Sequence, residues 1–351
     1  MQLDNYKEFP KIDTLDMLSE IDGLPQQFLN AYLNSFSYDL GGLQKPDVIL
    51  VAGMGGSAIG ADLLSSYCAP FSSAPIINLR EYTLPKWALE QNTLVVTSSH
   101  SGNTEETLSV FDAAKEAGLP ILAVATGGEL EKRAKVAGVP FWAFEHEGQP
   151  RAAVGFSFGI LLALVERLGV IPEQKDIVKA AVAAIEEKQK IYKADTPIVK
   201  NPVKRLAGQG IGRQVCIFGS DHLSVVARRW KTQINELAKA WAQYEYLPEA
   251  DHNTLAGAVN DEAILEKTLV LFLKGSHAHE RNLLRSDLTK QELMVSGLAV
   301  DAIEFKGSSS MEEMWDAILF GDYFSYYLAL SYEIDPTPIA ALDTLKANLK
   351  K

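Results

Sequence analysis

Cysteine is nearly missing from this chain. Its 351 residues include two, Cys68 and Cys216. Two thiols make no disulfide framework, and such usage fits a reducing cytosol. Positive charge is also short. Lys and Arg total 33 against 45 Asp and Glu, for a net charge of −12 and a pI near 5.1. That balance argues against a dedicated binder of nucleic acid or of anionic membranes. It leaves room for a phosphorylated small molecule, which a few local donors can hold within an acidic protein. No apolar run reaches the roughly 18 residues that a membrane span needs. The opening MQLDNYKEFP has neither the basic nor the apolar region of a signal peptide. The expectation is a cytoplasmic protein with no nucleic-acid or membrane partner. What is present is globular: 47% hydrophobic and 22% charged residues. A chain this long suits two domains or one large α/β unit, and it can bury a core without disulfides.

Met17 to Ile21 and Pro25 to Phe36 show helical spacing of apolar residues, ended by Gly41-Gly42. A regular alternation follows. DVILVAG (47–53), APIINL (74–79), NTLVVTSS (92–99), PILAVAT (120–126) and VPFWAF (139–144) read as strands. Helical patterns cover 57–67, 103–117 and 128–138. Most of these strands are apolar without alternation, as burial on both faces of a parallel sheet requires. Two helices, 151–169 and 173–191, look like connectors. TPIVKNP (196–202) carries two prolines and marks a boundary. A second set then begins: strands at 214–220, 268–274 and 298–305, a strand-like AQYEY, and helices at 222–240, 278–294, 311–333 and 338–350. The order strand, Gly/Ser turn, helix occurs in VILVAGMGGSAIGADLL and again in VCIFGSDHLSVVARRW, a domain-level duplication. The expected division is 1–45 N-terminal helices, 46–150 first subdomain, 151–200 connecting helices and 201–351 second subdomain.

Two motifs stand out. Gly53-Met54-Gly55-Gly56-Ser57-Ala58-Ile59-Gly60 joins a strand to a helix start. Glycines there allow a sharp turn and close backbone approach, and free helix N–H groups favour an anion. A tight turn without a ligand is the plain alternative. The motif also fits a dinucleotide fingerprint, but the next strand ends at Asn78-Leu79-Arg80-Glu81, with the acid offset and Arg80 pointing to NADP if to either dinucleotide. The second motif, Thr97-Ser98-Ser99-His100-Ser101-Gly102-Asn103-Thr104, follows an apolar strand and opens a helix. Hydroxyls and helix N–H groups aimed at one point make a phosphomonoester cradle. One serine would satisfy a helix cap; the full octet is surplus.

S-x-S-G-N-T-x-E-T after a strand, with an upstream G-x-G-G-S, resembles the sugar isomerase (SIS) fold. Pro150-Arg151-Ala152-Ala153, Asn235-Glu236-Leu237-Ala238-Lys239, Asp251-His252-Asn253 and Asp335-Pro336-Thr337-Pro338 narrow the resemblance to the bifunctional phosphoglucose/phosphomannose isomerase family. It runs from about residue 45 to the C-terminus. It implies an α/β fold of two SIS-type (flavodoxin-like) parallel-sheet subdomains sandwiched by helices. It implies an aldose–ketose isomerase of sugar 6-phosphates, without cofactor or metal. By this resemblance Ser99, Ser101 and Thr104 hold the phosphate, supported by Gly55, Gly56 and Ser57. Glu236 is the base; read without the family, it would be a helix-surface Glu paired with Lys239 or Lys231. His252 opens the ring and enters from a neighbouring subunit, implying a homodimer; a loop His bonded to Asp251 or Asn253 is the alternative. Arg151 steadies the enediolate, and its place at a helix start, against the dipole, suits a functional purpose. The family's C-terminal lysine best matches Lys346, which would help ring opening. His100 stands where some relatives carry tyrosine and is given no catalytic role.

Other readings stay open. Ser276-His277-Ala278-His279-Glu280 suggests a metal only if the segment is extended and further ligands exist. The run Tyr323, Phe324, Tyr326, Tyr327 suits a core or a dimer contact. A non-catalytic sugar-phosphate sensor would share the loops. An isomerase of another phosphosugar would look much the same. A glutamine-dependent aminosugar synthase would need an N-terminal cysteine nucleophile, which neither Cys68 nor Cys216 can be.

Overall fold

The computed structural model describes residues 2–349. In chain order its helices and strands begin with α1 (Met17–Asp22), α2 (Leu24–Asn34), β1 (Val48–Ala52), α3 (Gly55–Cys68), β2 (Ile76–Leu79), β3 (Thr93–Ser98) and α4 (Glu105–Glu116). There follow β4 (Ile121–Ala125), α5 (Gly128–Ala137), β5 (Phe141–Ala143), α6 (Val154–Arg167), α7 (Lys175–Tyr192) and α8 (Pro202–Gly210). The remainder is β6 (Gln214–Ser220), α9 (Ser224–Leu237), β7 (Ala242–Leu247), α10 (Glu262–Leu265), β8 (Thr268–Gly275), α11 (Glu280–Val295), β9 (Ala299–Phe305), α12 (Ser310–Ser331) and α13 (Ala340–Leu349). Gly23–Ala183 form one compact unit; the segments up to Asp22 and from Ala184 onward form the other. No helix among the described residues is long and apolar enough to cross a membrane.

The first unit is built on a parallel sheet in the order β2-β1-β3-β4-β5. Central strands β1, β3 and β4 are buried at every position, whereas the edges β2 and β5 are only partly covered. Burial on both faces explains their unbroken apolar runs. The order reverses between β1 and β3, where crossovers leave towards opposite sides of the sheet. Such a switch point leaves a crevice beyond the carboxyl ends of the strands.

The second unit repeats the plan with four parallel strands, β7-β6-β8-β9, and the equivalent reversal between β6 and β8. Its core helix is α12, buried continuously from Met311 to Leu330. The run Tyr323, Phe324, Tyr326, Tyr327 therefore belongs to this core. Helix α9 packs on α12 through Trp230, whose ring stacks on Phe320 at 5.6 Å and 8°. The approach is close enough that a Cβ on Gly321 would stand 2.2 Å from Trp230 Nε1. Buried Arg229 donates to Asp322 Oδ2 at 2.6 Å and Gln233 to Asp322 Oδ1 at 3.0 Å, which fixes the rotation of α9.

One helix is not legible in the sequence. The proline-marked stretch 196–202 reads as a boundary, yet α8 begins within it. Pro202 takes the first helical position, and Asn201 accepts from the N–H groups of Val203 and Lys204. Gly208 and Gly210 hide the pattern by lowering its local helix propensity.

Fully buried Glu313 of α12 accepts hydrogen bonds from His222, Ser276 and His277. Burial pushes its carboxyl up, but the hydrogen bonds from His222, Ser276 and His277 outweigh it and bring it down to about 2. A depressed carboxyl stabilises the fold above its unfolded value and loses that contribution as pH falls through the folded value. Between about pH 5 and about pH 2, wild type should therefore lose roughly 3 kcal/mol more unfolding free energy than Glu313→Gln. Denaturant melts across that range check it; parallel curves would sink the assignment.

Candidate functional site

Two loops meet at the first switch point. Strand pairing sets Ala52 beside Thr97 at the ends of β1 and β3. A Cβ on Gly53 would stand 2.9 Å from the Ser98 carbonyl oxygen, so glycine is what lets the two strand ends close together. From β1 the chain turns through Met54, and α3 begins at Gly55, whose φ of +52° suits glycine. Gly56 follows and Ser57 is buried. No acidic side chain lies in the first turn of α3, so the helix's own residues do not answer its positive end. The first turn of α4 carries Glu105 and Glu106, which already answer that dipole. Of the two helix starts, α3 is the better seat for an anion.

From β3 the chain forms the hydroxyl-rich loop. Ser99 is buried, its Oγ lies 2.8 Å from Thr104 Oγ1, and it accepts from the Gly102 N–H at 3.1 Å. Ser101 is exposed, with its Oγ accepting from the Asn103 N–H at 3.2 Å. Helix α4 starts at Glu105, so Thr104 sits one residue before it rather than inside its first turn. Its hydroxyl therefore points with those of the loop and not back into the helix ladder.

Three residues that sequence reasoning did not assign hold this loop. Asn103 donates to Ser101 O and accepts from the Glu129 N–H, both at 3.0 Å. Thr126 Oγ1 donates to His100 O at 2.8 Å. His100 Nε2 lies 2.8 Å from His146 Nδ1. The SGNT signature could have pointed to Asn103; Thr126 and His146 carry no local signal, since only the fold brings them here.

Arg151 joins the same loops. It lies in the turn Pro150–Ala152, nine-tenths buried or more, with Nη1 donating to Gln149 at 3.3 Å. A Cβ on Gly56 would meet Pro150 O at 2.2 Å and Arg151 N at 3.4 Å, so the arginine's backbone rests on the glycine loop. Gly55, Gly56, Ser57, Ser99, Ser101, Thr104 and Arg151 thus stand in the loops after β1 and β3 and in the turn that rests on the first of them. The first unit does not leave Arg80 for a dinucleotide phosphate: Arg80 pairs with Asp62 of α3, whose other oxygen accepts from Asn78 at 2.9 Å.

The remaining candidates lie in the second unit on three separate elements. Glu236 is half-buried in the last turn of α9, beside buried Ile234 and Leu237. Lys239, one of the cations suggested for it, donates to Leu237 O at 3.2 Å and Asp335 O at 2.8 Å. His252 ends the turn Glu249–His252 and is exposed. Its neighbour Asp251 is taken by Arg285 at 2.8 Å and Thr289 at 2.6 Å, and Asn253 bonds Glu249 and Thr254. The loop is therefore fixed while the imidazole faces outward. Lys346 is exposed on α13. In the Ser276–Glu280 segment, His277 Nδ1 bonds Glu313 at 2.9 Å and His279 caps α11.

Residues 199–349 match the family model described as bacterial phospho-glucose isomerase C-terminal SIS domain. A bifunctional phosphoglucose/phosphomannose isomerase of Caldicellulosiruptor bescii is 36% identical over 95% of this chain and 98% of that protein. Another of the same name from Aquifex aeolicus is 31% identical over 86% of this chain and 90% of its own. The tagatose-6-phosphate ketose/aldose isomerase structure from Escherichia coli superposes with a TM-score of 0.70 at 15% identity, covering 91% and 94% of the two chains. At that identity it speaks for the fold.

The glycine contacts give a direct test. A methyl group at Gly102 would stand 1.9 Å from Gly127 O, at a φ of +67°. Gly102→Ala should cost about 1–3 kcal/mol of stability, read by denaturant melts. An unchanged melt would show that the loop tolerates another path.

Proposed function

Because this chain belongs to the bifunctional phosphoglucose/phosphomannose isomerase family, we propose that it interconverts glucose 6-phosphate and mannose 6-phosphate with fructose 6-phosphate. The single observation that carries this reading is identity of 36% along almost the whole of both chains. The crevice of the first unit supports it chemically. The hydroxyls of Ser99, Ser101, Thr104 and Ser57 and the N–H groups of Gly55 and Gly56 suit the phosphate oxygens.

In the reaction, ring opening exposes the carbonyl. A base then takes the proton from C2 of the aldose, leaving a cis-enediolate, and returns it to C1 to give the ketose. We assign the base to Glu236, which stands half-buried beside Ile234 and Leu237 in the last turn of α9. Arg151 stabilises the enediolate; a guanidinium stays charged throughout and loses little by being preorganised. His252 opens the ring, with Lys346 as its assistant. No step transfers electrons to an external acceptor, so the chemistry calls for no redox cofactor.

His252 is assigned to the site of a neighbouring copy, making the working unit a homodimer. What supports this is a loop anchored through Asp251 with the imidazole exposed.

Fructose 6-phosphate, supplied with chelator and no cofactor, should yield both aldose phosphates when each is followed separately. Glucose 6-phosphate alone would remove the mannose activity from the proposal, and neither product would remove the isomerase. Tight binding of fructose 6-phosphate without turnover would favour a sensor instead.

Glu236→Gln should lower kcat by roughly 10²–10⁴-fold with little change in KM. Full turnover would reject it as the base. Co-refolding Glu236→Gln with His252→Ala tests the shared site. If histidine acts across the interface, random dimers recover about a quarter of wild-type activity; no recovery places His252 in its own subunit's site.

A further inference from the structure

The two units can be set in register by their strand pairs. Ala52 pairs with Thr97 in the first sheet, and Phe218 with Phe272 in the second. Three residues past the first member of each pair stand Gly55 at φ +52° and Asp221 at φ +49°. The residues before them, Met54 and Ser220, share ψ 159° with φ of −126° and −135°. Seven residues past the second members stand Thr104 and His279, each the cap of the next helix, at ψ 121° and 133°. The backbone of the phosphate crevice is thus repeated in the second unit with different side chains. Gly55-Gly56-Ser57 becomes Asp221-His222-Leu223. Ser101 is matched by Ser276, Ser99 by Lys274 and Thr104 by His279.

This second crevice is not empty. Glu313 reaches it from α12. Its Oε2 accepts from His222 Nε2 at 2.9 Å and from the His277 N–H at 3.2 Å. Its Oε1 accepts from the Ser276 N–H at 3.0 Å, from His277 Nδ1 at 2.9 Å and from the Ser276 hydroxyl. Five donors on one fully buried carboxylate are more than a structural pair needs. Gly275 makes the fit possible, for a Cβ there would stand 2.7 Å from Glu313 Oε2. A second carboxylate, Asp221, takes the start of α11, accepting from the His279 N–H at 3.3 Å and from Asn282 at 3.0 Å.

We propose that the second switch point is an oxyanion site, occupied in cis by the Glu313 carboxylate in the place that the substrate phosphate takes in the first. The parallel rests on the phosphate reading of the first unit. The occupancy has two consequences. The second unit cannot take a sugar phosphate, so each chain has one cradle. The same bond ties α12, the core helix, to the loops after β6 and β8.

The test is chemical rescue of Glu313→Ala by small oxyanions. The variant removes the carboxylate and leaves His222, Ser276 and His277 as donors facing a void. Inorganic phosphate or acetate should raise its Tm by about 2–4 °C beyond the change the same salt gives wild type. Chloride at equal ionic strength should not. Equal responses of variant and wild type, or an equal effect of chloride, overturn the proposal. If the variant does not fold alone, the same salts are titrated during refolding and the near-UV circular dichroism signal is read; no oxyanion-dependent recovery overturns it. The comparison is a difference from wild type. Failure of the phosphate reading of the first unit would appear separately, as no phosphate response in wild type itself.

Discussion

The whole arrangement depends on how closely two parallel strands can end beside each other before their chains diverge. In the first unit, β1 and β3 close until a Cβ on Gly53 would stand 2.9 Å from the Ser98 carbonyl oxygen. The crossovers after them then leave to opposite faces, so the loops GMGGS and SSHSGNT face one crevice. A side chain at Gly53 would part the strand ends. A side chain at Gly56 would push away Pro150 and, with it, Arg151. Van der Waals contact at two glycines therefore sets where donors and cation can stand, before any electrostatics acts.

Within that frame, charge decides what the crevice accepts. Helix α3 starts with glycines and no acid, while α4 starts with Glu105 and Glu106. One helix start carries acids of its own to answer the dipole and the other carries none. The overall charge of −12 does not oppose this, since the donors act at contact distance and the net charge is spread over the surface.

The second unit shows the same backbone put to another use. Its glycine loop has become Asp221-His222-Leu223, and its anion is part of the chain. Duplication supplied two crevices. Substitution at a handful of positions made one of them part of the core, where Glu313 fastens α12 beneath the strand ends. That helix in turn seats α9 through Trp230, Arg229 and Gln233, and α9 carries Glu236. A site lost to ligands thus helps fix the helix that bears the proposed base.

The sequence alone determined the two parallel sheets, because strands buried on both faces must be apolar without alternation, and β1, β3, β4 and β8 are. It singled out the two loops after β1 and β3, because Gly55-Gly56-Ser57 and Ser99 through Thr104 carry more glycine and hydroxyl than turns and caps require. It also showed the duplication and the family, through motifs that survive as short strings. It could not show that α8 begins at Pro202, where glycines hide the pattern and an Asn201 cap supplies the start. Nor could it show His100 facing His146, or Asn103 gripping α5, since those partners are distant in the chain. In Ser276-His277-Ala278-His279 it left a metal open only on condition of further ligands. Only the tertiary structure, by bringing Glu313 from a helix more than thirty residues onward, decided that Ser276 and His277 already have their anion and that His279 caps α11. Patterns of burial and turn chemistry are local and can be read along a chain; the partner of a buried donor is chosen by packing, and packing is not local.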